Sequence, residues 1–221
     1  MTASLEVGCF KTQPAARGVL HLSLATLLAC VVPALGMYVA IEPAVHLWPL
    51  LPFLAGKFSS YLASAIYHTH PRSISSPRHT FIALRRDVVA ISISIFVTGF
   101  PWLYSDVFYM SVSAACVSAV AVAASHEKHT LRRLAIFFQA FFTVVFIGVR
   151  ELTLTWTAAA ALVLMGQLSF CLLLAEQPPN RKRPLFWHSE AWGHHEDAHA
   201  ATVLADGLFL AAAYRSLSQN N

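Results

Sequence analysis

His195 and His199 stand four residues apart, so on a helix of 3.6 residues per turn they project from one face and can chelate a single cation. With His68 as a third imidazole, a tetrahedral zinc keeps its fourth position open for water, which is the arrangement of a catalytic zinc site. Ser64 lies one helical turn before His68, and Asp87 and Glu196 add carboxylates. The set therefore contains a metal-binding triplet, a hydroxyl that can donate a hydrogen bond and two groups that can take a proton. The segment His195-Glu196-Asp197-Ala198-His199 also fits the five-residue HExxH pattern of zinc peptidases. A soluble peptidase needs a substrate-binding domain around that helix, and the sequence contains no polar stretch to build one.

Each of these residues alone has a plainer reading. A single interior histidine is more often a satisfied core residue than a ligand, and Asp87 beside Arg85 and Arg86 also reads as an interfacial ion pair, worth about 0–1 kcal/mol. His194 points about 100° away from His195 around the helix. His21 reads as a neighbour of the site or as an interfacial residue. His70, His79, His126, His129 and His188 sit in or near loops, where solvated histidine is ordinary. The grouping of His68, His195 and His199 carries the chemistry.

The elements that must position these groups follow from composition. Of 221 residues, 57% are hydrophobic and only 12% charged, too little polar surface to coat a water-soluble globule. A bilayer core of about 30 Å is crossed by about 20 apolar helical residues. Seven stretches qualify, near 18–40, 47–68, 82–104, 107–125, 131–149, 153–175 and 196–214; the third and seventh are weaker because each carries a carboxylate. The expected fold is all-α, an integral membrane bundle of seven transmembrane helices over 18–215, with a cytoplasmic segment 1–17 and a short tail 216–221. The first stretch is too long for a signal-peptide core and is expected to stay in the mature chain. Gly99 and Pro101 should end or bend the third stretch, and Pro33 with Gly36 is a point of bending in the first.

With the N-terminus on the cytoplasmic side, every Lys and Arg outside the spans except Arg150 and Arg215 falls in cytoplasmic segments, which obeys the positive-inside rule. The C-terminus is then on the opposite side, and the plasma membrane is the expected location. Ser64, His68, Asp87, His195 and His199 all fall at the cytoplasmic ends of their stretches. The orientation was set by charge, independently of the chemistry, so this convergence favours one site. Basic residues are split among short loops without a continuous face, which argues against nucleic acid as a partner. Cys9, Cys30, Cys116 and Cys171 have no CxxC spacing and form no evident disulfide framework.

The chain resembles the hemolysin III family, within the progestin and adipoQ receptor group and more distantly the alkaline ceramidases, over nearly its whole length. Arg17-Gly18-Val19-Leu20-His21 is similar to the family's opening of helix 1, and Ser64-Ala65-Ile66-Tyr67-His68 to its serine-x-x-x-histidine motif in helix 2. Asp87 matches the helix 3 aspartate, Thr98-Gly99-Phe100-Pro101 the far end of that helix, and Gly193-His194-His195-Glu196 with His199 the closing histidine-x-x-x-histidine motif. Asp197 and Ala198 stand where the family commonly has a bulkier apolar residue. The resemblance implies one zinc ion on His68, His195 and His199, with Ser64 and Asp87 beside its water.

The expected activity is hydrolysis of a lipid amide or ester at the cytoplasmic side, ceramide-like by the resemblance, with membrane lipid as both solvent and substrate. Asp87 is the expected proton acceptor, Glu196 a second base, and Ser64 a hydrogen-bond donor to the water or the oxyanion. A seven-helix receptor with a structural zinc would keep the same histidines. A lytic protein or a transporter is a further alternative. Protein partners are not legible. Lys57 lies 11 residues before His68 and Asp206 two turns after His199. Both are expected to face the bundle interior, paired or joined by water.

Overall fold

Pro101 has no amide to donate to the carbonyl of Val97, and with Gly99 two residues before it the helical ladder of the third hydrophobic stretch is weakened at this point. In the computed structural model it ends at Thr98 and restarts beyond Gly99, whose amide donates to the Phe96 carbonyl and whose own carbonyl accepts from Trp102 and Leu103. The structure describes residues 16–42, 47–69, 77–126, 129–150 and 194–219, apart from the side chains of 16–17, 77, 129–130, 133, 150, 194–196, 198 and 218–219. Among the described residues the chain is all-helical, with α1 Ala16–Ile41, α2 Leu50–Thr69, α3 Pro77–Thr98, α4 Phe100–Leu103, α5 Val107–Ala123, α6 His129–Arg150 and α7 His194–Gln219. The expected span at 153–175 lies outside the described residues.

Local chemistry accounts for several boundaries. α3 opens on Pro77, whose fixed φ and missing amide suit the first helical position. Asp106 caps α5 by accepting a hydrogen bond from the Tyr109 amide at 2.9 Å. α1 runs through Pro33 as a single helix of 26 residues.

Two buried clusters define how the helices alternate. Leu50, Phe53 and Leu54 of α2 pack with Trp102 and Leu103 of α4, Tyr109 of α5, Val144 and Ile147 of α6 and Phe209, Ala212, Ala213 and Leu217 of α7. Val88 of α3 packs with Val120 of α5 and Ala124, backed by Ala135 and Ile136 of α6. The start of α2 therefore meets the start of α5 and the end of α6, whereas the middle of α3 meets the end of α5 and the first half of α6. This is an up-and-down arrangement with a large apolar core at one end, which leaves the end of α2 and the starts of α1, α3 and α7 to build the other.

Among the described residues two helical segments, Gly18–Ile41 and His199–Leu217, are long and apolar enough to cross a membrane, and Val107–Ala123 and Leu134–Val149 are shorter apolar segments. That is fewer than the seven expected from hydropathy. The stretch at 153–175 lies outside the described residues and the apolar parts of α5 and α6 are short, while α2 and α3 differ for a chemical reason: α2 carries Lys57, Ser59, Ser60, Ser64 and His68, and the first half of α3 carries Arg78, His79, Arg85, Arg86 and Asp87. The outward faces are strongly apolar all the same, with Val19, Leu27, Met37, Phe138, Val149 and Leu204 each exposed.

Candidate metal centre

α2 presents a stripe to the interior that changes character along its length. Leu50, Phe53 and Leu54 at its start are apolar, whereas Lys57, Tyr61 and Ser64 further along are buried and polar. His68 continues that stripe at the end of the helix, one turn past Ser64. Gly18 seats the start of α1 directly against this end: a β-carbon at position 18 would run into the Thr69 methyl group. That close approach carries His21, one turn further on, to the His68 ring.

Three imidazoles meet there. Ring centroids lie 5.7 Å apart for His21 and His68, nearly parallel at 11°, 4.2 Å for His21 and His199, and 5.7 Å for His68 and His199. One ring nitrogen from each falls within 4.8 Å of the others. His21 is buried and the other two are partly buried. Three helices, α1, α2 and α7, thus each supply one histidine.

Beside this triad, the Ser64 hydroxyl donates to Asp87 Oδ1 at 2.5 Å, and both residues are buried. Arg85 and Arg86 are exposed, so the carboxylate turns inward from its basic neighbours and is held by a hydroxyl on the next helix. Deeper in the bundle Asp206 of α7 takes two partners from α2, accepting from the Tyr61 hydroxyl at 2.6 Å and pairing with Lys57 Nζ at 2.6 Å. The interior pairing expected of Lys57 and Asp206 is thus direct.

The expected site residues divide as follows. His68, His199, Ser64 and Asp87 are described, and the structure joins them as two adjoining groups: His68 with His199, and Ser64 with Asp87. His195 and Glu196 belong to the first turn of α7, and their side chains lie outside the described ones. His21, read from the sequence as a neighbour of the site or an interfacial residue, was not counted there among the ligands. The available signal was its position at the start of the first stretch, at the same depth as His68.

The chain matches no protein-family model, no curated protein and no solved structure. The site rests on its own geometry.

Proposed function

We propose that this is a multi-pass membrane protein that holds one zinc ion at the cytoplasmic end of its bundle and hydrolyses an amide or ester of a membrane lipid. The observation that carries the reading is the convergence of His21, His68 and His199, with ligand nitrogens within 4.8 Å of one another, beside the Ser64–Asp87 pair. Neutral imidazoles are good zinc ligands, and nitrogens on a tetrahedral ion at about 2.0–2.1 Å stand about 3.3 Å apart, a contraction small enough for rotamer adjustment. His195, one turn before His199 on α7, is the alternative third ligand implied by the hemolysin III resemblance.

A bound zinc supplies Lewis acidity, polarising a carbonyl and lowering the pKa of water. The protein supplies the rest. Asp87 accepts the proton released as water attacks, on the carboxylate oxygen that Ser64 does not occupy, and returns it to the amine nitrogen or alcohol oxygen as the C–N or C–O bond breaks. Ser64 fixes the orientation of that carboxylate, and burial of both groups keeps bulk water from competing for it. Glu196 is a second base by its position on α7. An apolar exterior around a site built of buried polar groups suits a substrate already dissolved in the bilayer, which enters between helices rather than from water.

The test is metal content in detergent-purified protein. About one zinc per chain is expected in the wild type, lost in His21→Ala, His68→Ala and His199→Ala and retained in a control at exposed His79. His195→Ala decides between the two candidate third ligands. Wild-type protein purified without chelator and free of metal would overturn the zinc reading, and zinc-loaded protein inert towards ceramide-like amides and lipid esters would leave the receptor alternative.

A further inference from the structure

On α2 the polar residues recur at 57, 61, 64 and 68, spacings of four, three and four that hold them on one helical face. On α7 the matching groups are His199 and Asp206. Tyr61 lies seven residues before His68, and Asp206 seven residues after His199. At 1.5 Å per residue both intervals are about 10.5 Å. His68, near the end of α2, meets His199, near the start of α7, and Tyr61 meets Asp206, so the two helices run antiparallel and touch at two points the same distance apart on each.

The deeper point is more tightly specified than a single contact. Both oxygens of Asp206 are engaged, Oδ2 by Tyr61 and Oδ1 by Lys57, and these two partners lie one turn apart on α2. Lys57 is itself fixed, its Nζ 5.4 Å from the centroid of the buried Phe53 ring. A carboxylate held at both oxygens by groups spaced along a neighbouring helix resists sliding and rotation together. Apolar packing does not: it is non-directional, and α7 is rich in alanine, with Ala200, Ala201, Ala205 and Ala211 to Ala213 offering few side chains that interlock. A slip of one turn, about 5.4 Å, would break both contacts to Asp206 and carry His199 away from His68.

We infer that Lys57, Tyr61 and Asp206 form a register clamp between α2 and α7 that sets the mutual position of His68 and His199. A buried polar group that specifies helix register has precedent in coiled coils. These three are positioning residues: they act on the metal centre only through the placement of α7. The clamp itself rests on the contacts above; its consequence for metal affinity rests on the proposed zinc site.

Cross-linking tests the clamp without the native histidines or zinc. In a chain whose native cysteines are replaced, His68→Cys with His199→Cys is treated with mercuric ion, and the intramolecular link is read by gel after cleavage at a protease site inserted at Ser125. Rapid linking is expected with the clamp intact, at least a tenfold slower rate with Asp206→Asn, an intermediate rate with Tyr61→Phe, and recovery in the exchanged pair Lys57→Asp with Asp206→Lys. Unchanged linking in Asp206→Asn overturns the clamp. So does an exchanged pair that melts cooperatively yet fails to link, and this arm stands even if Asp206→Asn does not fold. On the native histidines, Asp206→Asn should weaken zinc binding at least tenfold, with recovery in the exchanged pair. A wild type that binds no zinc would sink the proposed function while the cross-linking arm still decides the clamp.

Discussion

Asp87 illustrates how a neighbouring residue type can mislead. Two arginines precede it, which favours a surface ion pair, yet the arginines are exposed and the carboxylate is buried on the Ser64 hydroxyl. If it is the proton acceptor, Asp87→Asn should keep its zinc and lose about 10²–10⁴-fold in turnover of a ceramide-like amide, both measured on one preparation. Ser64→Ala removes one hydrogen bond from the same carboxylate and should cost about 10–150-fold, in line with about 1.5–3 kcal/mol for a bond to a charged group. His21 was hard to read for a different reason. At the polar start of a hydrophobic stretch a histidine is unremarkable, and nothing in its own neighbourhood names a partner. Its meaning comes from Gly18, which lets α1 lie against Thr69 and so delivers the ring to His68.

At the scale of elements, the interface between α2 and α3 depends on a second close approach, at Gly56, where a β-carbon would collide with Val97. Gly56→Leu should push the two helices apart, destabilise the bundle by about 1–3 kcal/mol and weaken the Ser64–Asp87 contact further along the same interface. A lower melting temperature together with reduced turnover would bear this out; an unchanged melt would refute it. α3 and α6 are joined by Gln139, fully buried, whose amide nitrogen donates to the Ser92 carbonyl at 2.9 Å while its oxygen accepts from the Ser92 hydroxyl at 2.5 Å. Gln139→Ala should lower stability by about 1–3 kcal/mol, read by denaturant unfolding in detergent. The interruption at Gly99 and Pro101 was legible because proline acts through its own backbone. The Ser92–Gln139 pair was not, since two neutral polar residues 47 positions apart leave no periodic trace and no charge to balance.

For the whole molecule, hydropathy anticipated an all-helical chain and, to within a few residues, the bounds of α1, α2, α5 and α6. It ran less clearly through α3 and α7, because carboxylates such as Asp87 and Asp206 that turn into the interior also lower a helix's mean hydropathy. The proposed orientation has a direct check. Exposed Ser105 and Ser125 flank α5, whose 17 residues span about 25 Å. In a chain without native cysteines, Ser105→Cys should react with an impermeant thiol reagent added outside cells and Ser125→Cys should not; the reverse pattern would invert the topology. The Tyr61–Asp206 contact joins residues 145 positions apart, and Lys57 depends on the same distant carboxylate. A ribosome adding about 5–20 residues per second needs roughly 7–30 seconds to cover that distance. Throughout that interval α2 has a cation with no counter-charge from α7. Early synthesis is therefore the vulnerable stage of biogenesis: a nascent chain halted before α7 leaves Lys57 without the Asp206 carboxylate, and under the proposed membrane reading α2 would be open to quality-control proteases or dependent on an insertion chaperone until α7 arrives.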